Sequence, residues 1–474
     1  MSGMIDFEAF DGLGLAQLIR KRDVTALELL TEALERVERY DPGLNAVVRQ
    51  FADKARAAIM AGLPDGPFSG VPFLLKDLGA HYAGEPTTSG SRFFADYVPD
   101  HDSEVTKRYK ASGLVCFGKT NTPEFGLSPT TEPALFGPTL NPWDTSRTAG
   151  GSSGGAAAAV AARMVPMAHA SDGGGSIRIP AAMCGLFGLK PTRGRVPMGP
   201  DAGEGWGGLS TVHAVTHSVR DSAALLDVVE GADLGAPYWA PPKARPFLDE
   251  VGAPTGRLRI AFSTRPTTGV AVDPICVHAA EDAAKLCADL GHHVEEANPS
   301  VADPAALGLA MRAIIGANVR ATFDERAEAL GRAPGPNDAE RMTHAIIRSA
   351  EAVSAATYAR AIRLVHATGR RLAHFFQTYD VLITPTLTSL PPHIGDLSMM
   401  AEDMAGVSER IGALVGFTSL YNITGQPAMS VPLSWTDASL PVGVQFVGRF
   451  GDEAGLIRLA SQLEQARPWA HRRP

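Results

Sequence analysis

The residues of this chain whose types and spacing could do chemistry are two glycine-walled serines and one lysine. Ser152 lies in "GGSSGG" (150–155) and Ser176 in "DGGGSIRIP" (172–180), 24 residues further on. A serine hydroxyl becomes a useful nucleophile only when a neighbouring base takes its proton. Clusters of Gly and Ser also read simply as loops, so each chemical reading must rest on what surrounds them. A phosphate cradle would continue into G-K-[ST], or would be a G-x-G-x-x-G after a strand with an acidic residue about 20 positions on, and neither is present. Gly150–Gly154 does match the G-x-S-x-G elbow of α/β-hydrolases, which also needs an acid and a histidine downstream. His344 and His366 are available, but both sit in helical patterns.

The other base is a lysine. Of nine lysines, Lys76 ends the apolar run "VPFLL". An ammonium in such surroundings loses hydration, so its pKa falls and the neutral amine becomes accessible near pH 7. The alternative is an ordinary strand-end lysine paired with Asp77. No S-x-x-K occurs, which removes a penicillin-recognising enzyme as the source of a Ser-Lys pair. Gly173, Gly174 and Gly175, directly before Ser176, let consecutive backbone N–H groups turn inward as a nest for an oxyanion. Ser176 is therefore the better-placed nucleophile.

These residues need elements to position them. "TALELLTEALERVERY" has helical spacing with a Thr25–Glu28 capping box, and residues 5–66 read as helical scaffold. Strands are expected at "VPFLLK" and "LVCFGKTN", with a helix from Ser103 to Ala111 between them. Further on come a helix at "DSAALLDVVEG", a strand at "LRIAF", a helix at "VHAAEDAAKLCADLG" and a nearly all-helical stretch over 304–376. Strands return at "DVLITPT", "AMSVPL" and "PVGVQFVG". This alternation predicts an α/β chain with one large sheet, crossover helices and an inserted helical region.

Composition narrows the function. The 474 residues are 45% hydrophobic and 20% charged, with net charge −8 and no long basic block. That argues against nucleic acid or an anionic membrane as partner. Four scattered cysteines suggest neither a disulfide framework nor a zinc knuckle. No secretory leader or membrane span is read, so the expected location is the cytoplasm. No metal is expected either: the adjacent His292–His293 pair falls at a strand start, and no H-E-x-x-H occurs.

Lys76, "GGSSGG" and "DGGGSIRIPAAMCGLFGLKPTRG" together resemble the amidase signature family of Ser-Ser-Lys amide hydrolases, whose two serines share this spacing. The resemblance extends through "GKTNTPEFG", "NPWD", "YNITGQPAMSVPL" and "PVGVQFVG", and is strongest toward the 6-aminohexanoate cyclic-dimer hydrolases. It implies the amidase signature fold, a large mixed central β-sheet flanked by helices on both faces with an inserted helical region, as one domain over 1–474: helical scaffold 1–66, signature core 67–230 and helical substrate-pocket region 300–378. It implies Ser176 as acyl-forming nucleophile, Ser152 as a bridging serine after a cis peptide, Lys76 as base, and an oxyanion hole of Gly173, Gly174, Gly175 and Ser176 N–H groups. Ser153 would be a structural hydrogen-bond partner. Asp172 and Arg178 would brace the loop, the alternative being a solvated ion pair. Substrate contacts are expected from Leu127 and Thr131 in "EFGLSPTTEP" and Ile315 in "LAMRAIIGANVRATF", a region suited to an apolar acyl or aryl pocket. Leu127-Ser128 replaces a polar Asn-Gln pair typical of the cyclic-dimer hydrolases, which points away from the cyclic dimer itself. The implied activity is hydrolysis of apolar, aryl or synthetic amides, with carbamates and esters as side substrates. No cofactor is implied, the partner is a small-molecule amide, and the chain acts as monomer or homodimer. The rival reading is the amidase subunit of a tRNA-dependent amidotransferase.

Overall fold

Runs such as "PFLLK" and "VLITP", apolar at successive positions, must bury both faces of a strand. In the computed structural model, which describes residues 6–474, both lie inside one large sheet. In chain order the strands are β1 (Val47–Gln50), β2 (Pro72–Lys76), β3 (Val115–Thr120), β4 (Leu140–Asn141), β5 (Asp144–Thr148), β6 (Met167–Asp172) and β7 (Phe187–Lys190). They continue as β8 (Thr211–Thr216), β9 (Arg259–Phe262), β10 (His293–Glu296), β11 (Val381–Pro385), β12 (Ala428–Trp435) and β13 (Pro441–Gly448). Eleven form the sheet, in the order β1-β3-β2-β6-β8-β7-β12-β13-β11-β9-β10, and β4 pairs with β5 separately. The sheet is mixed: β2 runs parallel to β3 and β6, and β9 parallel to β10 and β11. The remaining neighbours are antiparallel.

Because side chains alternate along a strand, each inner strand feeds two cores. Phe73, Leu75, Ala214, Met429, Phe446 and Ile383 join one hydrophobic cluster that spans the sheet. Their neighbours Leu74 and Val215 join a second cluster on the opposite face, and Leu382, Ala428 and Val447 a third. Helices Val219–Val229, Pro274–Asp289 and Glu453–Ala466 cover the first face. On the other lie Ala26–Tyr40, Gly154–Ala161, Pro304–Leu330 and Ala355–Thr378. The expected Thr25–Glu28 capping box is present, with Thr25 N–H donating to Glu28 and Glu28 N–H to Thr25 Oγ1. No described helix is long and apolar enough to cross a membrane.

One expectation needs correction. The N-terminal scaffold is not all helix: Val47–Gln50 forms edge strand β1, antiparallel to β3. Four residues are too short to show a period of two between the flanking helices Ala26–Tyr40 and Ala52–Ala61, and tertiary pairing with β3 decides their state. The expected start at residue 5 lies outside the described residues.

The inserted helices reach the rest of the chain through an aromatic cluster. Phe323, on Pro304–Leu330, stacks on Phe93 at 5.6 Å between centroids and meets Phe125 at 4.9 Å, and Leu127 and Ile315 pack against the same cluster. Phe323→Ala is expected to lower stability by about 3–5 kcal/mol. Urea unfolding checks this, and a change of midpoint at constant slope is the signature.

Candidate active site

β2 and β6 are parallel neighbours, so their carboxyl ends share one edge of the sheet, the place where open α/β sheets bind ligands. Lys76 is the last residue of β2 and Asp172 the last of β6. Lys76 is wholly buried, and its Nζ donates to Ser152 Oγ (2.7 Å) and Ser171 Oγ (2.9 Å). Burial pushes its pKa down from the ordinary 10.5 to about 7, while the Asp172 charge pulls the other way. The Asp77 alternative does not hold: Asp77 accepts instead from the Thr88 hydroxyl and N–H, at 2.5 and 3.0 Å.

Ser152 follows a cis Gly151–Ser152 peptide. Its loop is fixed from both sides. Ser153 Oγ accepts from Ser171 N–H (3.3 Å) and donates to Ser171 C=O (3.2 Å), tying the loop to β6. Thr131 Oγ1 donates to Gly150 C=O (2.9 Å) and accepts from Gly154 N–H (3.1 Å). Thr131 is fully buried and does not face the cavity, so the expected substrate contact is corrected: its hydroxyl is taken up by the backbone of the Ser152 loop. The all-buried, alanine-rich helix Gly154–Ala161 begins immediately after.

Ser176 stands between Gly175 and helix Arg178–Cys184. Lys76 is 0%, Ser152 2% and Ser176 9% exposed, so access increases along the set and only Ser176 of the three lines the adjoining cavity. Gly173 and Gly174 line it too, and no described residue accepts from their N–H groups or from that of Ser176. Gly175 differs from the expectation. Its N–H donates to Asp172 Oδ1 at 2.7 Å and is not free for an oxyanion. Its backbone is left-handed (φ +136°), and a Cβ there would stand 2.5 Å from Thr418 Oγ1, so glycine is required for conformation rather than for a donor. At Gly173 the reason is proximity: a Cβ would lie 2.7 Å from the Trp206 ring.

Asp172 and Arg178 form a buried pair, not a solvated one. Arg178 donates to both Asp172 oxygens (2.9 Å each), Thr418 C=O (2.9 Å), Gln445 Oε1 (2.7 Å) and Asn422 Oδ1 (2.7 Å). Asp172 also accepts from Gly175 and Ile177 N–H and from Asn422. Burial alone would raise the carboxyl's pKa, but the Arg178 charge and its hydrogen bonds hold it well below the usual carboxylate range.

The cavity holds about 390 Å³ and is walled mainly by apolar side chains: Leu127, Ile179, Trp206, Met311 and Ile315, with Arg312 at an exposed position. Leu127 and Ile315, the two expected substrate contacts, both line this cavity. No histidine lines it; His344 and His366 lie on helices Arg341–Ala350 and Ala355–Thr378. A larger open groove of about 800 Å³, beside helix Ala26–Tyr40, contains none of the three residues and no comparable convergence of buried polar groups. Sequence reasoning missed Ser171, Trp206, Asn422 and Gln445. Ser171 alone had a local signal, as a hydroxyl on the strand end beside Lys76.

An eleven-stranded mixed sheet presenting a desolvated lysine and glycine-flanked serines at its strand ends is the framework of an enzyme that hydrolyses amide C–N bonds. The sequence profile of the family described as Amidase matches residues 28–457. The 6-aminohexanoate-cyclic-dimer hydrolase of Paenarthrobacter ureafaciens is 38% identical over 476 residues, covering 98% of this chain and 96% of its own. The structure of a 6-aminohexanoate cyclic dimer hydrolase complexed with substrate superposes with a TM-score of 0.94 at 36% identity, over 99% of both chains. A bacterial aryl acylamidase of the amidase signature family gives 0.88 at 28% identity, over 97% of both. The chain belongs to the amidase family.

Arg178→Met strands the Asp172 charge in a buried site, so stability should fall by about 3–5 kcal/mol, read by thermal or urea unfolding. A loss below about 1 kcal/mol would mean that Asp172 finds other compensation.

Proposed function

We propose that the protein hydrolyses apolar or aryl amides through an acyl-enzyme on Ser176, with Ser152 as proton relay and Lys76 as base. The observation that carries this reading is a fully buried lysine, its pKa pushed down to about 7, 2.7 Å from Ser152, in a chain whose Ser176 lines an apolar cavity. Neutral Lys76 takes the Ser152 proton and Ser152 takes that of Ser176. Ser176 Oγ bonds to the substrate carbonyl carbon, and the developing O⁻ accepts from the free N–H groups of Gly173, Gly174 and Ser176. The proton then returns through Ser152 to the amide nitrogen and the C–N bond breaks, releasing the amine. Water, deprotonated by the same relay, attacks the acyl carbon and frees the acid and Ser176.

Leu127, Ile179, Met311 and Ile315 favour an apolar acyl group, and the Trp206 ring favours an aryl one. Esters and carbamates, which share the acyl-transfer step, would be side substrates. The protein would act alone or as a homodimer on a small molecule in the cytoplasm, with no cofactor. The rival is the amidase subunit of a tRNA-dependent amidotransferase.

A panel of anilides, aliphatic amides, carbamates and glutamine separates these readings. Amine release from anilides by the chain alone, lost in Ser176→Ala, is the expected result; turnover of glutamine only would favour the rival. The pH profile tests the base. Since the folded-state pKa of Lys76 lies below its ordinary value, the amine is protonated and idle below about 7. The kcat/KM should therefore climb about tenfold per pH unit up to that point and level off above it. A flat profile between pH 5 and 8 would remove Lys76 from the mechanism.

A further inference from the structure

Away from the cavity, the segment following β2 and the loop between β7 and β8 meet at two histidines and an aspartate distant in sequence. His101 Nε2 stands 2.9 Å from Asp201 Oδ1, and His81 Nδ1 stands 3.1 Å from Asp201 Oδ2. One nitrogen from each ring and one carboxylate oxygen lie within 4.8 Å of one another. A tetrahedral zinc ion with bonds of about 2.0–2.1 Å needs donors roughly 3.3 Å apart; the two His–Asp201 distances approach this value, and the three donors together, within 4.8 Å, would close around an ion.

Two further observations point to a cation rather than to hydrogen bonding alone. His81 Nδ1 is shielded from solvent yet has no hydrogen-bond partner among the described residues, although Asp201 Oδ2 stands 3.1 Å away. On the far side of His101, Nδ1 lies 2.8 Å from Asp100 Oδ1, the carboxylate contact that orients metal-binding imidazoles.

We propose that His81, His101 and Asp201 bind a borderline divalent transition-metal ion, Zn²⁺ foremost, at a site separate from Lys76, Ser152 and Ser176. Two imidazole nitrogens and one carboxylate oxygen would fill three positions, with water in the fourth on the exposed Asp201 side. Such an ion would fasten the segment after Lys76 to the loop carrying Trp206, a wall of the cavity. It would support the site without entering the chemistry. Protons compete with a metal ion for imidazole nitrogens, so binding should weaken as pH falls.

The test uses full-length, tag-free protein stripped with a chelator and titrated with Zn²⁺ against a chromogenic chelator near neutral pH. Wild type should take up one equivalent and melt at a higher temperature with Zn²⁺ than without. His101→Ala and Asp201→Asn should each bind at least about tenfold more weakly and lose the thermal shift, while keeping their amide turnover. These side chains are 34% and 47% exposed, so the variants should fold. Failure of wild type to hold Zn²⁺ at micromolar concentration, or equal uptake by wild type and both variants, overturns the assignment.

Discussion

Everything at the candidate active site depends on how the Asp172 charge is disposed of. A carboxylate one residue after Ser171 and near Lys76 would ordinarily anchor the lysine as an ammonium. Arg178 matches that charge by spending all its donor directions locally, two on Asp172 and the rest on Thr418, Asn422 and Gln445. Burial of Lys76 outweighs the attraction of Asp172, and the amine's pKa falls. The same pair shapes the loop, because Asp172 also draws in the N–H groups of Gly175 and Ile177. One buried ion pair therefore sets the backbone course around Ser176, while burial, against the pull of Asp172, lowers the pKa of a lysine on the next strand.

The fold supplies the partners of this pair from distant parts of the chain. Thr418 and Asn422 come from the segment before β12, and Gln445 from β13. Lys76 arrives on β2 because β2 and β6 are parallel and end together. The cavity wall is added by helix Pro304–Leu330, held to Phe93, Phe94 and Phe125 through Phe323. The sheet thus fixes the polar groups, and the inserted helices close an apolar wall over them.

What could be read from sequence is what local chemistry determines. Lys76 was legible because an apolar run ends on it, and Thr25–Glu28 because a capping box is a four-residue pattern. One large sheet followed from the alternation of short apolar runs with helical ones, and its mixed character from the family resemblance. Features set by tertiary pairing were not legible. β1 is strand only because β3 lies beside it. Thr131 looked like a pocket residue, but its hydroxyl is occupied by the Ser152 loop. Gly175 belongs to a run of three similar glycines, and only the Asp172 contact separates it from the other two. Asn422 lies 250 residues from Asp172 and Gln445 lies 267 from Arg178, and His81, His101 and Asp201 are spaced too widely to form a motif.

The graded exposure of Lys76, Ser152 and Ser176 has a consequence for the order of events. The lysine is sealed behind the sheet edge, and Ser176 lines the cavity. In the proposed scheme the departing amine and the incoming water would then share that cavity. The first product has to clear before hydrolysis can finish. A slow-leaving amine would therefore linger as a competitor for its own acyl group, and reversal to the starting amide would be the main side reaction of this enzyme.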